Sequence, residues 1–399
     1  MELPLDRLNS EIGETLSRAL EGKAPNKEEA YALINARGKN LEAVTLVASI
    51  IRNREKGLRV SYSRKVFIPL TNMCRNRCGY CGFRKDPTNP AAKIILPDEV
   101  LKIAKLGDEV GCKEALFMLG ERPESVHPEA GARLRRLGYL ATVDYLRDMC
   151  EMVLNKTGLL PHSNPGILAK MDLASLKDVN ASMGLMLENS SERLCKKGGP
   201  HEHSPGKNPK SRLRTIEAAG ELKIPFTTGI LIGIGETLEE RVDSLFKLRQ
   251  LHNRYRHLQE LIIQNFQPQP LTPMEKVSET KIIDTVRTVA VTRIIFQGET
   301  NIQSPPNLIS EPYEPLLRAG INDWGGISNI TRDFVNPQAP WPEIENLRKA
   351  TAKAGFQLKI RLPVYPEYIV RIRGYLSRTL EEKIRTQVDD EGYPREETT

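Results

Sequence analysis

Apolar positions follow two different rhythms along this chain, and the change between them comes near residue 60. Over the first 60 residues Leu5, Leu8, Ile12, Leu16 and Leu20 recur at every third or fourth place, which puts one apolar stripe on a helix. Asn26 followed by Lys27, Glu28 and Glu29 reads as a capped helix start with acids in its first turn. A third helix is predicted from about Asn40 to Arg54, ending before Gly57. This helical leader is expected to pack on the outside or the base of the main domain.

From Lys65 onward, short apolar runs alternate with longer amphipathic ones, the pattern of parallel strands joined by helices. Strands are predicted at 66–70, 115–119, 159–162, 181–187, 226–232, 261–266, 301–303 and 321–324, with helical periodicity between them, as at 97–110, 141–155, 211–224 and 238–251. Eight such units make a closed α/β barrel. The last two runs are the weakest, so an incomplete barrel of six units stays open. A further apolar stretch at 358–364 precedes a helical segment, and the polar end reads as a mobile tail. The expected division is a helical segment over 1–60, a barrel over 61–345, a strand-and-helix extension over 346–385 and a tail over 386–399.

Composition narrows the setting. A hydrophobic fraction of 39% suits an ordinary soluble core. No apolar run approaches the roughly 18 residues that a membrane-spanning helix needs. The opening MELPLDRLNSE is polar and acidic, unlike a signal peptide, so the cytoplasm is the expected compartment. Six cysteines in 399 residues are too few for a disulfide scaffold. The net charge of +7 comes from 58 basic residues interleaved with 51 acidic ones. Without a basic stripe set with stacking aromatics, that balance predicts a mixed solvated surface and no nucleic-acid partner.

The concentrated chemistry lies in KVFIPLTNMCRNRCGYCGFRKDP, residues 65–87. Cys74, Cys78 and Cys81 form a C-x₃-C-x₂-C run directly behind the first predicted strand. Three soft thiolates on one loop can hold three irons of a 4Fe–4S cube, and the fourth iron then has no ligand from the motif. A structural zinc site would more often show two C-x₂-C-like pairs or spaced histidines. Here Cys112, Cys150 and Cys195 are isolated, and no histidine lies within 65–87.

This spacing, with Tyr80 ahead of the last cysteine, resembles the radical S-adenosylmethionine (SAM) superfamily. The resemblance implies a (β/α) barrel of TIM type with eight units. It further implies one 4Fe–4S cluster whose open iron chelates SAM, and one-electron cleavage of SAM to a 5′-deoxyadenosyl radical. Gly120 and Glu121 close the second strand like the superfamily's Gly-Gly-Glu motif, which meets the SAM amine, though Leu119 stands in the first position; a plain strand-to-loop turn is the alternative. Glu188 ends the fourth strand, where related enzymes hold the SAM ribose. Ser182 shares the inward face of that strand if Gly184 and Met186 do, although a serine satisfied by backbone fits equally. Arg212 could fork onto the SAM carboxylate or lie in a surface ion pair. Gly229, Leu231, Gly233 and Glu236 match the superfamily's G-x-I-x-G-x-x-E wall for adenine.

Other features stay open at this level. His201 and His203, two apart on a Gly/Pro loop, read as solvent-facing, with a substrate-facing role as the alternative. Gln264, Asn265, Gln267 and Gln269 are amides suited to a uracil-like ring. Asn322 to Gly326 is expected to close the barrel mouth.

Several stretches narrow the resemblance to the FO synthase family. They are EALFMLGERPE, LPHSNPG, ASMGLMLENSSERL, PHEHSPGKNP, IIQNFQPQP and INDWGGIS, together with the cysteine loop. That resemblance implies a lyase that makes the deazaflavin 7,8-didemethyl-8-hydroxy-5-deazariboflavin. Its implied substrate is a 4-hydroxybenzyl adduct of ribitylaminouracil, supplied by a second, sister subunit, with a separate electron donor. A radical SAM enzyme of the menaquinone type is the enzymatic alternative. A zinc-stabilised, RNA-associated protein is the alternative from another class.

Overall fold

The computed structural model describes residues 9–309 and 311–395. Leu5 and Leu8 of the first apolar stripe lie outside the described residues. Nine strands are present among those described: β1 (Arg59–Thr71), β2 (Glu114–Leu119), β3 (Leu160–Asn164), β4 (Ser182–Gly184), β5 (Phe226–Ile232), β6 (Leu258–Asn265), β7 (Asn301–Gln303), β8 (Asp323–Ile327) and β9 (Gln357–Arg361). The sheet runs β2 through β8 in chain order to β1, and β1 also pairs with β2. That pairing closes a barrel of eight parallel strands, and the six-unit alternative falls. Strands so placed are covered on both faces, which is why β5, FTTGILI, is buried at every position rather than alternating.

β1 is long because it serves two sets of neighbours. Its first half, from Arg59 to Ser63, lies beside β9. Its second half, from Lys65 to Thr71, lies beside β2. β4 is shorter than predicted, because after Gly184 the chain leaves the sheet and returns only as a bridge from Glu188 to Ile230. Glu188 takes a left-handed backbone there, φ 63°.

The leader folds as α1 (Ser10–Leu20), α2 (Lys27–Asn35) and α3 (Lys39–Lys56), with the Asn26–Glu29 capping box formed. Its packing partners explain its presence. α2 lies on the helix Leu238–Tyr255, and α3 on Ile282–Phe296. The latter helix is buried at every residue from Thr285 to Phe296, since the barrel covers one side and α3 the other. Arg52 of α3, fully buried, reaches the barrel base and donates to the carbonyls of Gly57, Arg59 and Ile321 at 2.6–3.1 Å.

The extension after residue 346 is the floor of the barrel. β9 delivers Arg361 into the interior, where its guanidinium donates to Asp323 at 2.6 and 2.9 Å and to Glu260 at 3.0 Å. Tyr365 donates to Glu260 at 3.0 Å, and the Pro363 carbonyl accepts from Ser182 and Gln259. Removing one partner from such a buried pair typically costs about 3–5 kcal/mol, because a charge is left unpaired out of water. The expected tail is also packed as far as it is described. Val388 is buried and bridges Pro394, while Glu391 pairs with Arg59. Residues 396–399 lie outside the described residues. No described helix is long and apolar enough to cross a membrane.

Burial pushes the rings of His252 and His257 from the ordinary 6.5 down to about 4 and about 3. Each is held neutral when folded and gains a proton more readily once unfolded. The unfolded chain therefore binds more protons below about pH 6.5, and stability is lost as pH falls toward 4. The melting temperature should drop by several degrees across that interval, and less in a His252→Gln variant; an equal drop in both would contradict the assignment.

Candidate active site

The cysteine loop starts where β1 ends and is sewn down at both ends. The Thr71 hydroxyl donates to the Lys93 carbonyl, and Lys85 N–H donates to the Asn72 carbonyl, which closes the stem. The loop then folds over the carboxyl end of β2. It fits because Gly120 has no side chain: a Cβ there would run into the Met73 carbonyl and stand 2.8 Å from Cys74 Cβ. The loop's tip docks on the PHEHSPG segment. Arg77 N–H donates to His203 O at 3.0 Å, Gly79 N–H to Pro200 O at 2.8 Å, and Gly206 N–H to the Asn76 side chain at 2.7 Å.

Each of the three sulfurs is met by polar hydrogens. Cys74 Sγ accepts from the backbone N–H of Asn76 and Glu121 at 3.4 and 3.1 Å. Cys78 Sγ accepts from the Ser204 hydroxyl at 3.4 Å, and Cys81 from the N–H groups of Phe83 and Arg84. Such donors favour charge on sulfur and are among the levers that tune an iron–sulfur cluster. Burial, with the neighbouring sulfurs adding to it, pushes the Cys74 thiol up to about 11 and raises that of Cys81. A bound cation is what would deprotonate them. Among the described residues no group of three His, Cys, Asp or Glu side chains could hold a single metal ion. A 4Fe–4S cube takes each thiolate on a different iron and needs no such convergence. The loop fits a cluster.

The sulfurs face a cavity of about 390 Å³ inside the mouth of the barrel, of a size suited to a small-molecule ligand. Tyr80, Gly120, Glu121, Glu188, Arg212 and Leu231 line it, as do Gly184 and Met186. Glu121 is buried and already committed to protein. Its carboxylate accepts from Arg75 at 2.6–2.8 Å and from Ile167 N–H at 3.1 Å, and it packs where Gly166 and Gly206 leave room. Arg212 donates to the carbonyls of Met186 and Gly206 at 2.8 and 3.2 Å, with Glu188 3.6 Å away. Glu188 also pairs with Lys207. Burial works to raise the Glu188 carboxyl, but Lys207 and Arg212 outweigh it and hold it low.

Several of the residues singled out in the sequence stay off the cavity wall. Ser182 lies beneath it, bonded to His162 Nδ1 at 2.6 Å and to Pro363 O at 2.7 Å. Gly229 is bare because β6 runs too close, at Ile262, for a side chain. Gly233 turns left-handed at φ 92° beneath Thr280. Glu236 folds back onto its own turn, accepting from the N–H of Gly233 and Ile234 and from Arg241 at 2.7–2.9 Å. His201, expected in solvent, is 3% exposed and hydrogen-bonded to the Tyr80 hydroxyl at 3.0 Å; His203 is exposed. Asn322 and Asp323 sit at the base of β8, not at the mouth, bonded to Arg293 and Arg361.

Deeper in the cavity lie charges that the strand pattern hid. Lys65 donates to Glu114 at 2.9 Å, and both are buried. Burial alone would raise the Glu114 carboxyl, yet Lys65 above all brings it to about 2. His162 is buried beside them and pushed down to about 4 by that burial. Lys65 and Glu114 stand just before the predicted strands at 66–70 and 115–119 and pair in register. Opposite charges at matching edges of two neighbouring strands were the signal available.

The profile of the radical SAM superfamily matches residues 68–248. The chain is 52% identical over 336 residues to a 7,8-didemethyl-8-hydroxy-5-deazariboflavin synthase of Methanopyrus kandleri, covering 84% of this chain and 100% of that one. With the synthase of the same description in Methanocaldococcus jannaschii it shares 47% identity over 93% of this chain and 99% of that one. It is 44% identical to the FO synthase of Streptomyces coelicolor across 99% of its own length but only 47% of that longer protein. Among solved structures, the hydrogenase maturase HydG of Carboxydothermus hydrogenoformans superposes with TM-score 0.72 at 19% identity, over 90% of this chain and 82% of that one. At that identity the likeness shows the fold.

A Gly120→Ala variant puts a methyl where Met73 and Cys74 must pass. Iron and sulfide incorporation on anaerobic reconstitution is expected to fall several-fold while the barrel still melts cooperatively. Full incorporation would show that the close approach is not required.

Proposed function

The chain belongs to the 7,8-didemethyl-8-hydroxy-5-deazariboflavin (FO) synthase family of the radical SAM superfamily, and we propose that its cysteine loop and its barrel interior divide the work of that reaction. It is a radical SAM lyase of deazaflavin biosynthesis, and its cofactors are one 4Fe–4S cluster and SAM. Neither the menaquinone-type reading nor the zinc-protein reading is favoured beside relatives of this identity.

In this reading Cys74, Cys78 and Cys81 hold the cluster. The observation that carries it is the set of N–H and O–H donors aimed at all three sulfurs. Tyr80, Gly120 and Leu231 line the space beside them for SAM, and Glu188, held ionised by Lys207 and Arg212, offers its carboxylate to the ribose. Glu121, Arg212, Ser182, Gly229 and Gly233 act by fixing the wall. If bound there, the cluster and SAM would supply 5′-deoxyadenosyl-radical chemistry, a hydrogen abstraction from the substrate with SAM consumed to methionine and 5′-deoxyadenosine. The apolar wall of Phe67, Leu116, Met118 and Trp341 excludes water from that step.

The proposed substrate is 5-amino-5-(4-hydroxybenzyl)-6-(D-ribitylimino)-5,6-dihydrouracil, which closes its ring and loses ammonia to give FO. A second radical SAM subunit would supply it. The support is that this sequence carries one C-x₃-C-x₂-C motif and spans less than half of the longer FO synthases. A separate one-electron donor, and the reducing interior of the cytoplasm, complete the proposal.

Anaerobically reconstituted protein given the adduct, SAM and dithionite should form a fluorescent deazaflavin and 5′-deoxyadenosine, and Cys78→Ala should abolish both. SAM cleavage by the unaltered protein with a different product from this adduct would overturn the reading.

A further inference from the structure

The tandem glycines of INDWGGIS have a use that neither the cluster nor SAM accounts for. A Cβ on Gly326 would fall on the stem of Lys65, and one on Gly325 on the amide of Gln303. β8 is bare at these two places so that two polar side chains can cross it into the cavity. Both have unused hydrogen-bonding capacity. Gln303 is 5% exposed, yet its amide bonds to no described residue. Lys65 has Glu114 as its one hydrogen-bond partner among the described residues, so two of its three N–H donors are unspent. A buried amide without a partner is unfavourable unless something else occupies it.

A third such group stands beside them. Of the amides on the sixth strand and the loop behind it, Asn265 and Gln267 donate to the Leu308 carbonyl, and Gln269 to Asn336. Gln264 alone reaches the cavity with no partner among the described residues. β6, β7, β8 and β1 are neighbours in the barrel, so Gln264, Gln303 and Lys65 share one side of it. Glu188 and Leu231, on the SAM side, belong to β5 and the segment after β4. On the shared side Phe67 and Trp341 stack at 5.1 Å and 17°, a flat apolar face at the cavity wall.

We propose that Lys65, Gln264 and Gln303 form the subsite that reads a cyclic imide edge, that of the uracil-type ring of the substrate, against the Phe67–Trp341 face. This rests on the FO synthase reading. The ring edge of such an imide runs acceptor, donor, acceptor. Two carboxamides and a two-donor ammonium can meet all three positions, and a purely apolar ring would leave them unpaired.

The test uses the reconstituted holoenzyme. Gln303→Leu and the double variant Lys65→Met/Glu114→Gln, which leaves no orphaned charge, are expected to raise KM for the adduct about tenfold or more. They should also raise the ratio of 5′-deoxyadenosine to FO, a loss of coupling that a merely structural role would not produce. Iron content and SAM binding report folding. A second measurement needs no variant. With the unaltered enzyme, 5-amino-6-ribitylaminouracil should inhibit competitively, and its N3-methyl derivative about tenfold more weakly, having lost the imide N–H. Unchanged KM and coupling in both variants, or equal inhibition by the two uracils, would overturn the subsite. Failure of the unaltered enzyme to make FO would instead overturn the reading beneath it.

Discussion

Everything at the mouth of this barrel depends on how closely the cysteine loop can lie on the end of β2. Gly120 gives the clearance, and Glu121 next to it supplies the fastening. The Glu121 backbone N–H points at Cys74 Sγ, its carbonyl takes the N–H of Arg75, and its carboxylate takes the Arg75 side chain and the N–H of Ile167. One residue thus ties the cysteine loop to β2 and to the segment behind β3. Gly166 and Gly206 lie against the same carboxylate with no side chain to displace it. The carboxylate is buried and the guanidinium partly buried, so the strength of the pair comes from geometry and desolvation together.

Below that layer the interior changes character. A hydrophobic barrel core would be the simplest filling, yet this one holds Lys65–Glu114 and Arg361–Asp323–Glu260, each paired and hydrogen-bonded. Arg361 arrives from β9, which makes the C-terminal segment part of the barrel's interior chemistry instead of an appendage. Its ion pairs close the floor, while the pair above them leaves donors facing upward. Fixed dipoles and charges of this kind can orient a polar substrate without reorganising, because they are set by folding before the substrate arrives.

Much of this was legible in the chain. The strands at 226–232 and 301–303 match the structure at both ends. The cysteine spacing marked out the three-thiol loop, and Gly120 and Glu121 were visible as a strand end. Less legible were residues whose meaning depends on partners far away in sequence. Glu236 fits a motif but serves its own turn, Gly229 answers to the backbone of β6, and His201 is drawn inside by Tyr80, 121 positions distant.

Local spacing and hydrophobic period therefore determined the alternation of strands and helices, the helical leader and the three-thiol loop, because those depend on contacts within a strand, a helix or one turn. The tertiary structure alone decided which polar groups have partners and which are left over. Asn265, Gln267 and Gln269 are spent on the protein, whereas Gln264, Gln303 and Lys65 face the cavity. Barrel closure sets that difference. It brings β8 beside both β7 and β1, so that two bare glycines on one strand make room for side chains from the other two.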